Sequence, residues 1–176
     1  MPYSTIIVIV PNSLAFSSPS AGTRRSMQSN VRRDTKPELA IRKRLYARGA
    51  RYRVDYPLWF DRRRRADIVF TRHKVAVFVD GCFWHGCASH YTSPKANAAF
   101  WRAKIVANRL RDHDTNERLT EAGWIVLRFW EHTAPDAVVE EVLAAIAGRV
   151  ADLSEFVAAS QGLSAARPGS PGGLRV

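Results

Sequence analysis

The chain has 176 residues, and its 27 lysines and arginines against 16 aspartates and glutamates give a formal net charge of +11. Its 46% apolar content suits one domain with a single buried core. Such a charge favours a polyanionic partner, nucleic acid or an anionic membrane surface, over a merely solvated basic surface. The apolar run at residues 6–10 is too short for a membrane span, and no basic residue precedes it as in a secretory signal. We therefore expect a cytoplasmic protein with no membrane partner.

Composition divides the chain into three parts. Residues 1–24 predict a flexible N-terminal extension, and residues 25–150 predict one domain without internal repeats. Residues 151–176 predict a short helix followed by a disordered basic tail, because Gly, Ser, Pro and Arg dominate its end.

The predicted elements follow the order α-β-β-β-α-β-α. The first helix begins at Thr35 as N-cap and ends at Gly49. Strand-like runs follow at residues 52–56, 66–70 and 75–79, the last two joined by a hairpin turn. A long helix (96–122), a buried strand (124–129) and an amphipathic helix (135–150) complete the domain. This order predicts an α/β sandwich with a mixed sheet rather than a doubly wound parallel sheet.

A cysteine- and histidine-containing loop follows the third strand. Cys82, Cys87 and His90 lie within nine residues, and His132 follows the last strand. Tetrahedral zinc takes four nitrogen or sulfur ligands, so these residues predict a zinc site. The alternative is two free buried cysteines with exposed histidines. His85, in the same loop, fits either a zinc ligand or a general base, and spacing does not separate the two roles.

Three acids predict a second metal site. Asp67 heads an apolar strand, Asp80 ends the next one, and Glu38 shares a helix face with Ile41 and Leu45. Each acid alone is typical of a cap or a surface charge. Together, in a strongly basic chain, they favour Mg²⁺-dependent phosphodiester hydrolysis.

Aromatic and basic residues predict a DNA-binding surface. Phe83, Trp84 and Trp101 fit either core anchors or apolar wedges that open a base step. Helical spacing places three further residues on one stripe suited to phosphate contacts: Lys104, Asn108 and Arg111. The alternative for this stripe is a solvated helix face.

Five blocks resemble one known family. The blocks cover residues 34–38, 66–70, 79–87, 97–112 and 123–132, and they contain Gly81-Cys82-Phe83-Trp84-His85 and Phe100-Trp101. Over residues 27–150 the chain resembles the very short patch repair (Vsr) DNA mismatch endonucleases. The resemblance implies the α/β/α sandwich of type II restriction endonucleases (the PD-(D/E)XK type) with a structural zinc site. It also implies nicking 5′ to the T of T·G mismatches that arise from deamination of 5-methylcytosine.

The resemblance also implies a role for individual residues. Asp67 would be the catalytic acid that binds Mg²⁺, with the Val79 carbonyl as a further ligand. Glu38 would organise water and His85 would assist catalysis. The four zinc ligands would be Cys82, Cys87, His90 and His132. Met27, Phe83 and Trp84 would wedge into DNA beside the mismatch, supported by Trp101.

Some positions depart from the family pattern. Ala66 stands where a proline usually precedes the catalytic Asp, and Val79-Asp80 replaces Thr-His of some members. Double-stranded DNA with a T·G mismatch is the expected partner, with mismatch-repair proteins as further partners of a monomer. Two alternatives are a restriction-type nuclease without mismatch specificity and a non-catalytic zinc-dependent DNA-binding protein.

Overall fold

The computed structural model describes residues 33–165. Met27, the whole of the predicted extension and the end of the predicted basic tail lie outside them, so the division into three parts stays a prediction. The described elements are α1 (Lys36–Ala47), β1 (Arg53–Pro57), β2 (Arg65–Phe70), β3 (Val75–Asp80), α2 (Cys82–His85), α3 (Ala98–Glu121), β4 (Ile125–Trp130) and α4 (Pro135–Ala165).

The four strands form one mixed sheet in the order β1-β2-β3-β4. The pairs β1–β2 and β2–β3 are antiparallel, whereas β3 and β4 are parallel, with Asp80 opposite Trp130. Parallel pairing brings the ends of β3 and β4 to one edge, and antiparallel pairing brings the start of β2 to the same edge. The predicted mixed α/β sheet is therefore confirmed, and its topology gathers Asp67, Asp80 and the segment after Trp130.

Helices cover both faces of the sheet. On one face, Ile41 and Leu45 of α1 and Val138 and Val142 of α4 pack against strand residues that include Val77. On the other face, Leu119 of α3 and Leu58 from the β1–β2 loop pack against Phe78. Burial of these apolar side chains supplies the main driving force for the fold. Among residues 33–165, no helix combines the length and the apolar character of a membrane span.

Two helices differ from the sequence-based prediction. Residues Cys82–His85 form a short helix, α2, where a loop was expected. It ends at Gly86, whose φ of +65° favours glycine. A Cβ at this position would also lie only 2.9 Å from Cγ2 of Ile105 on α3. Helix α4 continues without a break to Ala165 rather than ending at residue 150. No proline lies between residues 151 and 165, so nothing removes a backbone donor there.

Candidate active site and metal centre

Asp67 lies on β2, half-buried, where the ladder between β2 and β3 ends. The last paired residues are Ile68 and Val77, and beyond them the Val79 N–H donates to the Asp67 carboxylate at 2.7 Å. A side-chain oxygen thus replaces a strand carbonyl as acceptor. This bond fixes the carboxylate at the edge of the sheet.

The electrostatic surroundings of Asp67 favour its neutral form. The pKa of the Asp67 carboxyl is raised to about 7. Burial is the largest cause and the nearby carboxylates of Glu38 and Asp80 add to it, whereas the Val79 N–H and Arg128 act in the opposite direction. Two of the three acids singled out by sequence, Glu38 and Asp80, therefore act on the third in the fold. Their mutual repulsion is the kind that a bound divalent cation relieves.

Glu38 is buried in the first turn of α1, only 4% exposed. Its Oε1 accepts from the Thr35 hydroxyl at 2.8 Å, and its Oε2 accepts from the Asp34 N–H and from Arg42 Nη2, each at 3.0 Å. The predicted N-cap, Thr35, makes no side-chain bond to the backbone and binds Glu38 instead. These bonds hold the Glu38 carboxylate in one orientation beside Asp67.

His85 lies at the end of α2 between two carboxylates. Its Nδ1 is 2.5 Å from Asp112 Oδ2 and 3.7 Å from Asp80 Oδ1. His85, Asp80 and Asp112 place their ligand atoms within 4.8 Å of one another, whereas the cysteine–histidine group does not include His85. The position of His85 favours a role in proton transfer over one as a zinc ligand.

Asp112 was not among the residues selected from sequence. It lies on α3, where Asn108, Thr115 and Leu119 are buried at helical spacing around it. An acid on the buried stripe of a helix is unusual, and that position was the available signal. Burial opposes ionisation of Asp112, but the hydrogen bond to His85 and the charges of Arg128 and Arg111 keep its pKa below the ordinary value.

Asp80, predicted as a metal-binding or catalytic acid, is engaged by an arginine. Nη1 of Arg128 lies 2.7 Å from Asp80 Oδ1 and 2.9 Å from Oδ2. Both oxygens therefore accept from one guanidinium, and no local sequence pattern indicates that Arg128 of β4 reaches this point. Asp80 thus borders the candidate metal site as the partner of an arginine.

The four predicted zinc ligands converge. Cys82, Cys87, His90 and His132 place their ligand atoms within 4.8 Å of one another. Cys82 Sγ lies 3.1 Å from His132 Nδ1, and Cys87 Sγ lies 3.7 Å from His90 Nδ1. Ligands of a tetrahedral zinc with these atom types lie about 3.5 Å apart, so the group fits the ion.

Strand pairing explains how His132 reaches this group. The Glu131 N–H donates to the Asp80 carbonyl at 2.9 Å and continues the parallel register of β3 and β4. Glu131 Oε1 then accepts from the Cys82 N–H at 2.7 Å, at the start of α2. These two bonds place the residue after Glu131 beside the sulfur of Cys82.

The predicted wedge residues form an aromatic cluster beside α2. The ring centroid of Phe83 lies 5.3 Å from Trp84 and 5.0 Å from Trp101, and those two indoles are 5.8 Å apart. All three are half-buried. The cluster therefore combines packing with an exposed part, and its role as a DNA wedge stays a prediction.

The predicted phosphate-binding stripe on α3 is divided. Lys104 and Arg111 are exposed, whereas Asn108 is 5% exposed and donates to the Trp84 carbonyl at 2.7 Å. Asn108 therefore lies on the side of α3 that packs against α2, next to the exposed residues of the stripe. Its placement supports the aromatic cluster rather than an open phosphate contact, which corrects the expected stripe.

The fold and the site define a strongly basic α/β protein with clustered acids beside a histidine at one edge of a mixed sheet, a combination that suits an enzyme acting on nucleic acid. Comparison with known proteins agrees. The family model described as DNA mismatch endonuclease Vsr matches residues 19–91. Together with the relatives described next, this match shows that the chain belongs to the Vsr family of DNA endonucleases.

Curated relatives match most of the domain. The type II nicking enzyme V.NaeI of Lentzea aerocolonigenes is 50% identical over 115 residues, which cover 64% of this chain and 69% of the relative. The type II nicking enzyme V.NmeDIP of Neisseria meningitidis serogroup C is 45% identical over 62% of this chain and 73% of its own length. The DNA mismatch endonuclease Vsr of Escherichia coli is 34% identical over 61% of this chain and 67% of its own length.

Proposed function

We propose that this endonuclease nicks one strand of duplex DNA 5′ to the T of a T·G mismatch and uses Mg²⁺ held at Asp67. The names of its relatives support both parts of the reaction: one is a mismatch endonuclease and others are nicking enzymes. The net charge of +11 supports a duplex as substrate. The PD-(D/E)XK type of fold is part of the same proposal, supported by the mixed sheet with helices on both faces.

One observation carries the magnesium assignment. The Asp67 carboxyl has its pKa raised to about 7 by burial and by the neighbouring acids Glu38 and Asp80. Hard oxygen ligands around an excess of negative charge suit Mg²⁺, which Asp67 and the Val79 carbonyl would hold. When bound, the ion supplies Lewis-acid activation of the phosphodiester and of the attacking water.

The residues around this site provide positioning and proton transfer. Glu38, fixed by its bonds to Thr35 and Arg42, directs a carboxylate toward the water beside Asp67. His85 has Nδ1 against Asp112, which leaves Nε2 to accept or donate a proton at the reacting phosphate. Asp112 therefore orients the imidazole, as a carboxylate partner does in other proton-transfer sites.

The cysteine–histidine group would hold a structural zinc. Two sulfur and two nitrogen ligands leave no open position for substrate in a tetrahedral site. The ion would link α2 to the segment after β4, because Cys82 begins α2, Cys87 follows it directly, and His132 lies after β4. It would thereby fix the helix that carries Phe83 and Trp84.

The aromatic cluster would recognise the mismatch by how easily the DNA deforms at that base step. Phe83 and Trp84, backed by Trp101, would insert at the T·G step together with Met27, which lies outside the described residues. A wobble pair is easier to open than a matched pair, so the cost of the wedge is lower there. Lys104 and Arg111 would contact phosphates from the exposed side of α3.

A cleavage panel tests this function. Oligonucleotides with T·G, T·A and C·G at one position are incubated with the full chain in Mg²⁺ and in EDTA. We expect one nick, only on the T strand of the T·G duplex and only with Mg²⁺. Asp67→Asn removes it, whereas the matched control Asp136→Asn, an exposed acid on α4, retains it. Equal cutting of all three duplexes would instead identify a restriction-type nuclease without mismatch specificity.

A further inference from the structure

Arg128 contacts two acids of the site at the same time. Besides Asp80, its Nη1 lies 3.5 Å from Asp112 Oδ1, and its Nη2 donates to Asn116 Oδ1 at 3.3 Å. Its guanidinium also lies over the Phe78 ring, 4.5 Å from the centroid. These contacts come from two elements, β3 and α3, so the guanidinium has one defined position.

His85 has two possible carboxylate partners. Its Nδ1 contacts Asp112 at 2.5 Å, while Asp80 lies only 3.7 Å away. All three side chains are at most 19% exposed, so water competes weakly for them. The direction of the imidazole, and therefore of Nε2, depends on which carboxylate takes the Nδ1 proton.

We propose that Arg128 is a positioning residue that holds Asp80 and thereby keeps His85 paired with Asp112. Both Asp80 oxygens accept from Arg128 Nη1, which orients this carboxylate, balances its charge and so weakens its attraction for the His85 Nδ1 proton. The inference rests on the proposed role of His85 in strand cleavage. Asp80, His85 and Asp112 lie as close together as the ligands of a metal ion. The proposal explains this closeness, because the Arg128 guanidinium supplies the positive charge between the two carboxylates.

The proposal makes Asp80 and Arg128 interdependent. Loss of Arg128 alone leaves an unpaired buried carboxylate close to His85. Loss of the Asp80 charge alone leaves a guanidinium with Asp112 as its remaining acid, which draws Asp112 away from His85. Loss of both removes the competition. The single variants should therefore be more harmful to His85 than the double variant.

The test compares Arg128→Met, Asp80→Asn and the double variant on whichever duplex the parent chain nicks. We expect each single variant to lower kcat about 10- to 100-fold with KM changed less than about threefold, because the imidazole is misdirected while the DNA contacts remain. The double variant should recover about tenfold or more of that loss. Arg118→Met, which removes an arginine that lies over Phe60 and pairs with Asp114 on another part of α3, is the matched control and should retain the parent kcat.

A second measurement does not depend on DNA cleavage. In proton–nitrogen NMR spectra of the full chain, the signal of the His85 Nδ1 proton is assigned by its loss in His85→Gln. We expect this signal to shift in both single variants and to return toward its parent position in the double variant. A merely structural role for Arg128 would lower the unfolding midpoint of Arg128→Met and leave both the signal and the kcat of the folded protein unchanged.

Different outcomes therefore address different claims. An unchanged His85 signal in Arg128→Met, or a double variant no better than the single ones, overturns the positioning role. Absence of mismatch-dependent nicking in the parent chain rejects the proposed function but leaves the NMR comparison valid. Where Arg128→Met does not fold, Asp80→Asn against the double variant gives the same comparison.

Discussion

The carboxylate of Asp112, in the middle of α3, lies 2.5 Å from Nδ1 of His85, at the end of α2. The two residues meet because α3 packs closely on α2: Asn108 binds the Trp84 carbonyl at 2.7 Å and Arg109 binds the His85 carbonyl at 3.0 Å. A helix thus supplies the carboxylate that orients a histidine of the candidate site. The remaining ring nitrogen, Nε2, is left for chemistry.

The first prediction concerns this pair. Asp112→Asn should lower kcat for nicking by about 100-fold, because an amide no longer favours the imidazole tautomer and orientation that proton transfer needs. KM should change little. Single-turnover cleavage measures the effect. Asp114→Asn, two residues along α3 and paired with Arg64 and Arg118 rather than with His85, is the control. If both variants lose activity equally, the orienting role of Asp112 is wrong.

The second prediction concerns the pH dependence of stability. The pKa of Asp67 is about 7 in the folded protein against an ordinary 3.8. The folded state therefore holds the proton more tightly than the unfolded state, and stability falls as pH rises from about 4 to about 7 and then levels off. Asp67→Asn lacks this cost. In EDTA, it should be more stable than the parent at pH 8 by on the order of 1 kcal/mol or more, with little difference at pH 4.

Urea unfolding midpoints at the two pH values measure this difference. A parent chain whose stability relative to Asp67→Asn does not change between pH 4 and pH 8 would contradict the raised pKa. Mg²⁺ provides a further comparison at pH 8. The ion should raise the midpoint of the parent and leave that of Asp67→Asn unchanged, because binding to the folded state alone stabilises it.

The third prediction concerns the zinc group. His132→Gln should abolish stoichiometric zinc in the purified protein and lower the unfolding midpoint, since a structural zinc contributes directly to folding. Metal analysis by mass spectrometry measures the zinc. His113→Gln changes an exposed histidine of α3 that pairs with Glu117 outside the group, and it should retain the metal. One zinc per chain in both variants would remove His132 from the ligand set.

The fourth prediction concerns the aromatic cluster. Phe83→Ala should reduce the preference for T·G over T·A by about tenfold or more, because a wedge lowers the barrier only where the base pair opens easily. Trp59→Ala removes an aromatic residue that is 56% exposed and stacks on Trp124, outside this cluster. It should leave the preference unchanged. If Phe83→Ala keeps the parent preference for T·G over T·A, the assignment of Phe83 as a wedge is wrong.

Much of the fold could be predicted from local patterns. Alternating and β-branched apolar runs located β2, β3 and β4 to within one residue, and the turn at 71–74 joined β2 and β3 as a hairpin. The capping pattern around Thr35 and the glycine after α3 located two helices. Such signals are local because hydrogen bonding and side-chain spacing within an element repeat over a few residues.

The positions of the cysteines and histidines in the sequence also predicted a contact between distant segments of the chain. Cys82, Cys87 and His90 follow one another closely, and His132 follows a strand whose pairing with β3 is parallel. Once two strands are parallel, the residues after them share one edge of the sheet. The group could therefore be predicted without knowledge of any contact.

The partners of the charged residues required the tertiary structure. Sequence placed Asp80 among free metal-binding acids, yet Arg128, 48 residues away, occupies both of its oxygens. His85 finds Asp112 at a separation of 27 residues. The amino-acid sequence by itself determined the four strands, the three long helices and the edge of the sheet that collects most of the reactive side chains. Only the packing of α3 and β4 decided which charges meet, because ion pairs between distant segments have no periodic signature and depend on the distance between the folded elements.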